Sequence, residues 1–255
     1  MKAAALAALL VLALPAAAPA ASVKQGLALY GRYCVMCHGP NGSGVQRTPA
    51  NRVGGGPARD QMVQEGAGPS LRGVGALAAH FYLTTGYMPL RNLGEQPRRA
   101  RLLLTPGQIG SLIAYVASLG PGPPVPTPHP ERGNLSHGQA LFTRHCAGCH
   151  QAVARGGYVT GAVPPPLGDA TPVQVAEAVR LGPYVMPRFS KEQISDRELD
   201  SLIRYVQWTK HPDDRGGWSI GRIGPIPEGL VTWFLAATVL VGFCLAIGKR
   251  LGGQS

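Results

Sequence analysis

Two pentapeptides constrain this chain more than any other feature: Cys34-Val35-Met36-Cys37-His38 and Cys146-Ala147-Gly148-Cys149-His150. Each is a C-x-x-C-H run, the pattern of covalent c-type haem attachment. Two thiols one helical turn apart add to the two vinyl groups of a haem, and the adjacent histidine supplies the proximal nitrogen to iron. A zinc site is one plainer alternative, but two Cys-Cys-His sets converging on one ion leave ligands over. A thioredoxin-like dithiol is another, and it has no need of a trailing histidine twice. The sequence therefore predicts two covalently attached c-type haems. Small domains rarely supply enough core of their own, and a haem bonded through two thioethers acts as a large apolar staple.

The chain also repeats itself. Gly26-Leu27-Ala28-Leu29-Tyr30-Gly31-Arg32-Tyr33-Cys34 aligns with Gly138-Gln139-Ala140-Leu141-Phe142-Thr143-Arg144-His145-Cys146. Tyr87-Met88-Pro89 answers Val185-Met186-Pro187, and Ser111-Leu112-Ile113-Ala114-Tyr115-Val116 answers Ser201-Leu202-Ile203-Arg204-Tyr205-Val206. Three landmarks in one order mean two copies of one domain. Each copy reads as helical. Leu27, Tyr30 and Tyr33, and then Leu141, Phe142 and His145, recur at helical spacing before the haem motifs. Thr105-Pro106-Gly107-Gln108 and Ser195-Asp196-Arg197-Glu198 are capping-box starts for the two closing helices. Those helices present Ile109, Leu112, Ile113 and Val116 in one copy and Leu199, Leu202, Ile203 and Val206 in the other. An N-terminal helix crossing a C-terminal helix beside each haem is the expected geometry.

The opposite face of each iron needs a ligand. Of the 5 Met in the chain, Met1 is the start and Met36 lies inside a haem motif, leaving Met62, Met88 and Met186. Met88 and Met186 are each followed by proline and each precede the closing helix of their copy, so they are the expected sixth ligands; Met62 has no counterpart. His80 is the rival for the first haem. The metal ligands are then His38 and Met88 in one copy and His150 and Met186 in the other. A haem with histidine and methionine ligands has no open position, which suits outer-sphere electron transfer better than peroxidase, oxygen-binding or nitrite-reducing chemistry. No catalytic residue set for hydrolysis is visible.

Outside the repeats, Met1-Lys2 and the apolar Ala3 to Leu14 read as a signal peptide over residues 1–21, with an uncleaved anchor as the alternative. Residues 120–132 form a Pro-rich linker of semi-rigid, extended character. Residues 211–228 form a Gly/Pro-rich strap. Leu230 to Ile247 contains no charge and predicts a transmembrane helix over 229–248, entered by Pro227 and Glu228, with Trp233 at an interfacial position. Lys249 and Arg250 follow in a short tail, 249–255. The positive-inside rule then places the C-terminus in the cytoplasm and the haem domains outside the cell (plasma) membrane. Cys244, in this apolar run, reads as a small buried hydrophobe. The formal net charge of +11 can steer acidic partners toward the surface, and Arg98, Arg99 and Arg101 follow Met88 closely. Basic residues are not interleaved with aromatics, so no nucleic acid is expected as a partner.

Taken together, the two domains, the Pro-rich linker and the C-terminal helix resemble the dihaem cytochrome c subunit of actinobacterial-type cytochrome bc complexes, the menaquinol–cytochrome c reductases. The runs Thr85-Gly86-Tyr87-Met88-Pro89-Leu90, Gly182-Pro183-Tyr184-Val185-Met186-Pro187-Arg188-Phe189 and Gly224-Pro225-Ile226-Pro227-Glu228-Gly229-Leu230 carry the resemblance. It implies an all-α chain with two tandem class I cytochrome c domains, 22–119 and 133–210, plus one C-terminal transmembrane helix. It implies a place beside a cytochrome b subunit and a Rieske iron–sulfur subunit. The site on Cys34, Cys37 and His38 then takes electrons from the Rieske cluster. The site on Cys146, Cys149 and His150 passes them to the copper centre of a haem–copper cytochrome c oxidase. Such a subunit belongs to a quinol–cytochrome c reductase, a translocase, and is not catalytic alone. A free-standing membrane-tethered dihaem carrier shares the same motifs. A dihaem redox enzyme is the third reading, and it requires one five-coordinate haem.

Overall fold

The computed structural model describes residues 21–45, 68–90, 96–101, 104–210 and 225–252. The chain divides into two compact units, residues 1–210 and 211–255. The described residues contain no strand, only an isolated bridge between Val159 and Ala162. The signal segment over residues 1–20, Met62 and residues 211–224 of the strap lie outside the described residues.

The first unit is a pair of matching helical sets. In the first, α1 (Val23–Tyr33) runs into a single turn, α2 (Val35–His38), followed by α3 (Gly75–Thr85) and α4 (Pro106–Ser118). In the second, α5 (Leu135–His145) runs into α6 (Ala147–His150), followed by α7 (Pro172–Leu181) and α8 (Asp196–Trp208). The predicted crossing is present in both sets, and glycine makes it possible. Gly26 of α1 lies on the backbone of Ser111 in α4, where a Cβ would overlap the Ser111 carbonyl; Gly138 of α5 lies the same way on Ser201 of α8. The two serines also do the same work. Ser111 Oγ accepts from the Ser22 N–H at 3.1 Å, and Ser201 Oγ accepts from the Asn134 N–H at 3.0 Å. Just below each crossing an aromatic pair closes the contact: Tyr30 with Tyr115 at 5.1 Å, and Phe142 with Tyr205 at 5.3 Å between centroids.

Both predicted capping boxes are formed. Gln108 N–H donates to Thr105 Oγ1 while Thr105 N–H donates to Gln108 Oε1, and Ser195 and Glu198 exchange the corresponding bonds. The α8 face is the one expected, with Leu199, Leu202, Ile203 and Val206 buried. The α4 face is rotated. Leu112 and Val116 are buried with Ser111 and Tyr115, and Ile109 and Ile113 are only half-buried. The Gly26 crossing draws Ser111 inward and the Tyr30 ring draws Tyr115. In α1, Tyr30 is buried, whereas Leu27 and Tyr33 are exposed, as is His145 in α5.

Two helices, α3 and α7, were not legible in the periodicity. They pack against each other and join the two sets. The linker is also more than a spacer. Leu77 N–H donates to Pro123 O at 3.1 Å, and His129 N–H donates to Asp200 Oδ1 at 2.6 Å, so its ends are fastened to α3 and α8.

In the second unit, α9 (Pro225–Gly252) is a continuous helix whose segment Gly229–Leu251 is 23 residues long and apolar enough to cross a membrane. At 1.5 Å per residue that segment is about 35 Å long, enough for a hydrocarbon layer of about 30 Å. Its Trp233, Phe234, Leu240 and Phe243 are exposed, so the helix leaves its apolar surface for another medium. Cys244 is exposed on the same helix, contrary to its expected burial; its neighbours on α9 are exposed with it.

Candidate functional site

Each C-x-x-C-H run folds into one helical turn. At Cys34 the backbone turns out of α1 with φ −121° and ψ −30°, and at Cys146 out of α5 with φ −123° and ψ −34°. In both, the cysteine carbonyl accepts from the second cysteine and from the histidine: Cys37 and His38 N–H to Cys34 O, and Cys149 and His150 N–H to Cys146 O. Residues at i, i+3 and i+4 share one helix face, so two thiols and an imidazole stand side by side.

The histidines are oriented by a proline carbonyl. His38 Nδ1 lies 2.9 Å from Pro69 O, and His150 Nδ1 lies 3.0 Å from Pro165 O. A carbonyl oxygen only accepts, so Nδ1 carries the proton and Nε2 presents its lone pair. This is the tautomer a metal-bound imidazole uses, with the second nitrogen tied to a carbonyl. Burial holds the His150 pKa below its usual value, which favours the neutral ligand form. Sequence reasoning missed Pro69 and Pro165. Their signal was a fourth landmark of the repeat: Pro69-Ser70-Leu71 answers Pro165-Pro166-Leu167.

The first cysteine of each run has the wrong acidity for a nucleophilic thiol. Burial, and then the neighbouring cysteine, push the Cys34 and Cys146 thiols up to about 11. A nucleophilic C-x-x-C pair needs a lowered value.

In the second set the predicted residues meet in one place. Cys146, Cys149, His150 and Met186 all line a cavity of about 300 Å³, whose walls include Phe142, Leu167, Val175, Val179, Leu202 and Val206. Met186 arrives there because α7 stops at Gly182, whose φ of 65° is left-handed. In the first set α3 stops at Gly86 with φ 69°, and Met88 follows with its N–H on Tyr82 O at 3.2 Å. In sequence, Met88 follows the end of α3 as Met186 follows the end of α7. His80, the rival ligand, has its Nδ1 2.6 Å from Glu177 Oε1 of α7 instead. Arg98, Arg99 and Arg101 are all exposed, and Arg99 also lines the cavity of the second set. A pair of attachment thiols, an imidazole with a free Nε2, a thioether and an apolar wall fit a c-type haem.

A helical fold with this attachment turn in both halves defines a c-type cytochrome with two tandem cytochrome c domains. Residues 23–120 match the family described as Cytochrome c, and residues 133–206 the family described as Cytochrome C oxidase, cbb3-type, subunit III. The cytochrome bc1 complex cytochrome c subunits of Corynebacterium diphtheriae, Mycobacterium leprae and Mycobacterium tuberculosis are 31%, 33% and 34% identical to it. Each alignment covers 90% of this chain, and 82%, 76% and 79% of those proteins respectively. The chain belongs to the family of cytochrome bc1 complex cytochrome c subunits: it is an electron-transfer subunit of the cytochrome c type, and c-type haem is its cofactor.

Proposed function

We propose that the protein is the membrane-anchored dihaem subunit of a quinol–cytochrome c reductase. It stands beside a cytochrome b subunit, accepts electrons from a Rieske iron–sulfur subunit and hands them to a haem–copper cytochrome c oxidase. The observation that carries this reading is the duplicated attachment turn, with its proline-oriented histidine, on a chain that also carries one apolar helix. The names of its relatives, subunits of a bc1 complex, support the choice of partners.

Two haems are held, one by Cys34 and Cys37 and one by Cys146 and Cys149. His38 and Met88 ligate the first iron, and His150 and Met186 the second. A haem held by these residues would supply a one-electron ferric–ferrous couple. The chain's own residues do the rest. The Pro69 and Pro165 carbonyls fix each imidazole, the thioethers of Met88 and Met186 favour the ferrous state, and the apolar wall around Phe142 and Val179 keeps water from the second site. The α9 anchor, with Lys249 and Arg250 on the cytoplasmic side, places the haem domains outside the plasma membrane. Tethering raises the local concentration of the carrier near its partners and removes a diffusional search.

The test is purification through a tag on this chain from native membranes in mild detergent, followed by haem analysis. The reading expects two c-type haems per chain and co-purifying b-type haem with a Rieske signal. Recovery of the chain with c-type haem alone contradicts the proposed complex.

A further inference from the structure

The second cavity is built by both halves of the chain. The second half supplies the attachment cysteines, His150 and Met186; the first half supplies Phe81, Thr85, Tyr87, Gln96, Pro97 and Arg99. Gln96 fastens this contribution in place: its Nε2 donates to Val163 O at 2.8 Å, and its Oε1 accepts from the Val163 N–H at 2.7 Å. Three residues on, Arg99 Nη2 donates to Gln174 Oε1 at 3.0 Å. Gln174 is itself buried and held by Thr171 and Thr84. Among the described residues that line the cavity, Arg99 is the one with a permanent charge.

A haem brings an apolar ring with its vinyl edge at the thioethers, and two carboxylates elsewhere on its periphery. The ring suits the Phe142–Val179 wall. The carboxylates need donors, and a guanidinium offers a planar, forked set. We propose that Arg99, a residue of the first domain, is a cofactor-positioning residue of the second site, pairing with a propionate carboxylate of the haem held at Cys146, Cys149 and His150. The inference rests on the reading above that a haem occupies this cavity.

The surrounding charge agrees with an anion at this rim. Lys210 Nζ donates to Ala170 O at 2.8 Å, and Ala170 lines the same cavity. Burial holds the Lys210 pKa below its usual value, Asp169 opposes that, and the nearby positive charge of Arg99 adds to it. Among the described residues, no carboxylate forms an ion pair with Arg99 or Lys210. A cation beside a propionate favours the electron-rich ferrous state, so Arg99 raises the potential of the second haem while tying the first domain to it.

The experiment uses the full chain in its membrane complex, with Arg99→Gln and Arg99→Lys compared with the parent. Haem content is counted first. The potential of each haem is then followed by spectroelectrochemical titration across mildly acid to neutral pH, with a Met186→His variant marking the second wave. In Arg99→Gln the second haem is expected to shift about tenfold toward ferric, equivalent to about 59 mV for a one-electron couple. Its potential also gains pH dependence as the unpaired propionate titrates. The first haem stays put, and Arg99→Lys retains most of the parent behaviour. Two haems per chain with an unmoved second potential in Arg99→Gln overturn the inference. Equal shifts in the Gln and Lys variants also overturn it, because the charge is then not what acts. A parent chain with one haem, on Cys34 and Cys37 alone, overturns the reading on which the inference rests.

Discussion

Glu177 Oε1 lies 2.6 Å from His80 Nδ1 and joins α7 of the second domain to α3 of the first. The Glu177 side chain is fully buried, its Oε2 has no partner among the described residues, and His80 is 29% exposed. The short contact has the geometry of an ion pair, yet burial pushes the Glu177 carboxyl up to about 8 and the His80 pKa down. A neutral pair, with the Glu177 hydroxyl donating to His80 Nδ1, accounts for both directions. It also accounts for the idle Oε2, which is tolerable in a neutral acid and expensive in a carboxylate.

The pair gives the interface a pH window. Glu177 is raised from 4.5, so its contribution to stability is full below about pH 4.5 and is lost progressively as pH rises to about 8. His80 is lowered from 6.5, so its contribution is present above 6.5 and lost as pH falls through its depressed value. Above pH 6.5 only the Glu177 loss remains, so stability from this contact falls steadily from about pH 6.5 to about 8. Glu177→Gln removes the loss at higher pH, raising stability by about 1–3 kcal/mol near pH 9 with little change near pH 4. Thermal unfolding of the holoprotein at both pH values checks this.

The two aromatic pairs divide their hydroxyls differently. In the first domain Tyr30 OH donates to Gly39 O at 2.6 Å and accepts from Gly42 N–H at 3.1 Å, while the buried Tyr115 OH has no partner among the described residues. In the second domain Phe142 replaces the first ring, and Tyr205 OH donates to Ala152 O at 2.7 Å. Both bonded hydroxyls fasten the chain just after the histidine of a C-x-x-C-H run, His38 or His150. Tyr115→Phe is expected to be neutral or slightly stabilising, whereas Tyr205→Phe costs about 1 kcal/mol. Denaturant titrations of the two variants provide the comparison.

Each helix crossing depends on one missing methyl group. An added Cβ at Gly26 or Gly138 overlaps a serine carbonyl on the facing helix, and the backbone there cannot swing aside as a side chain can. Gly26→Ala and Gly138→Ala should each destabilise by about 1–3 kcal/mol. The neighbouring Gly31, with nothing near its Cβ direction, is the control whose alanine variant should not be destabilised. Equal losses at all three positions contradict the crossing argument.

The proposed ligation predicts separable spectroscopic losses. Met88→Ala removes the methionine–iron charge-transfer absorption of the first haem and Met186→Ala that of the second. Each opens one iron to carbon monoxide and lowers its potential, shifting that couple about tenfold or more toward ferric, equivalent to about 59 mV or more. A Met88→Ala protein with both bands intact points to a different first ligand.

The parts of the fold that were legible in the sequence are those with local chemistry. The C-x-x-C-H turns, the Thr105 and Ser195 caps and the uncharged run of α9 all declare themselves within a few residues. Helix α3 did not, because it is buried on several sides. Ala79 packs on the first core, His80 meets Glu177, and Phe81 and Thr85 line the second cavity. A helix with so many covered faces has no polar stripe to set a period. Helix α7 carried a readable sign in Thr171-x-x-Gln174, a formed capping box of the kind seen at Thr105. The role of Arg99 was not legible because it depends on two domains meeting, which no local pattern encodes.

The most direct measurement is the rate at which a quinol reduces the c-type haems of the purified membrane complex. The account predicts reduction of both within catalytic turnover, abolished when the Rieske subunit is removed and slowed when Met88 is replaced by histidine, which lowers the potential of the first site. Two c-type haems that quinol cannot reduce in the intact complex contradict it.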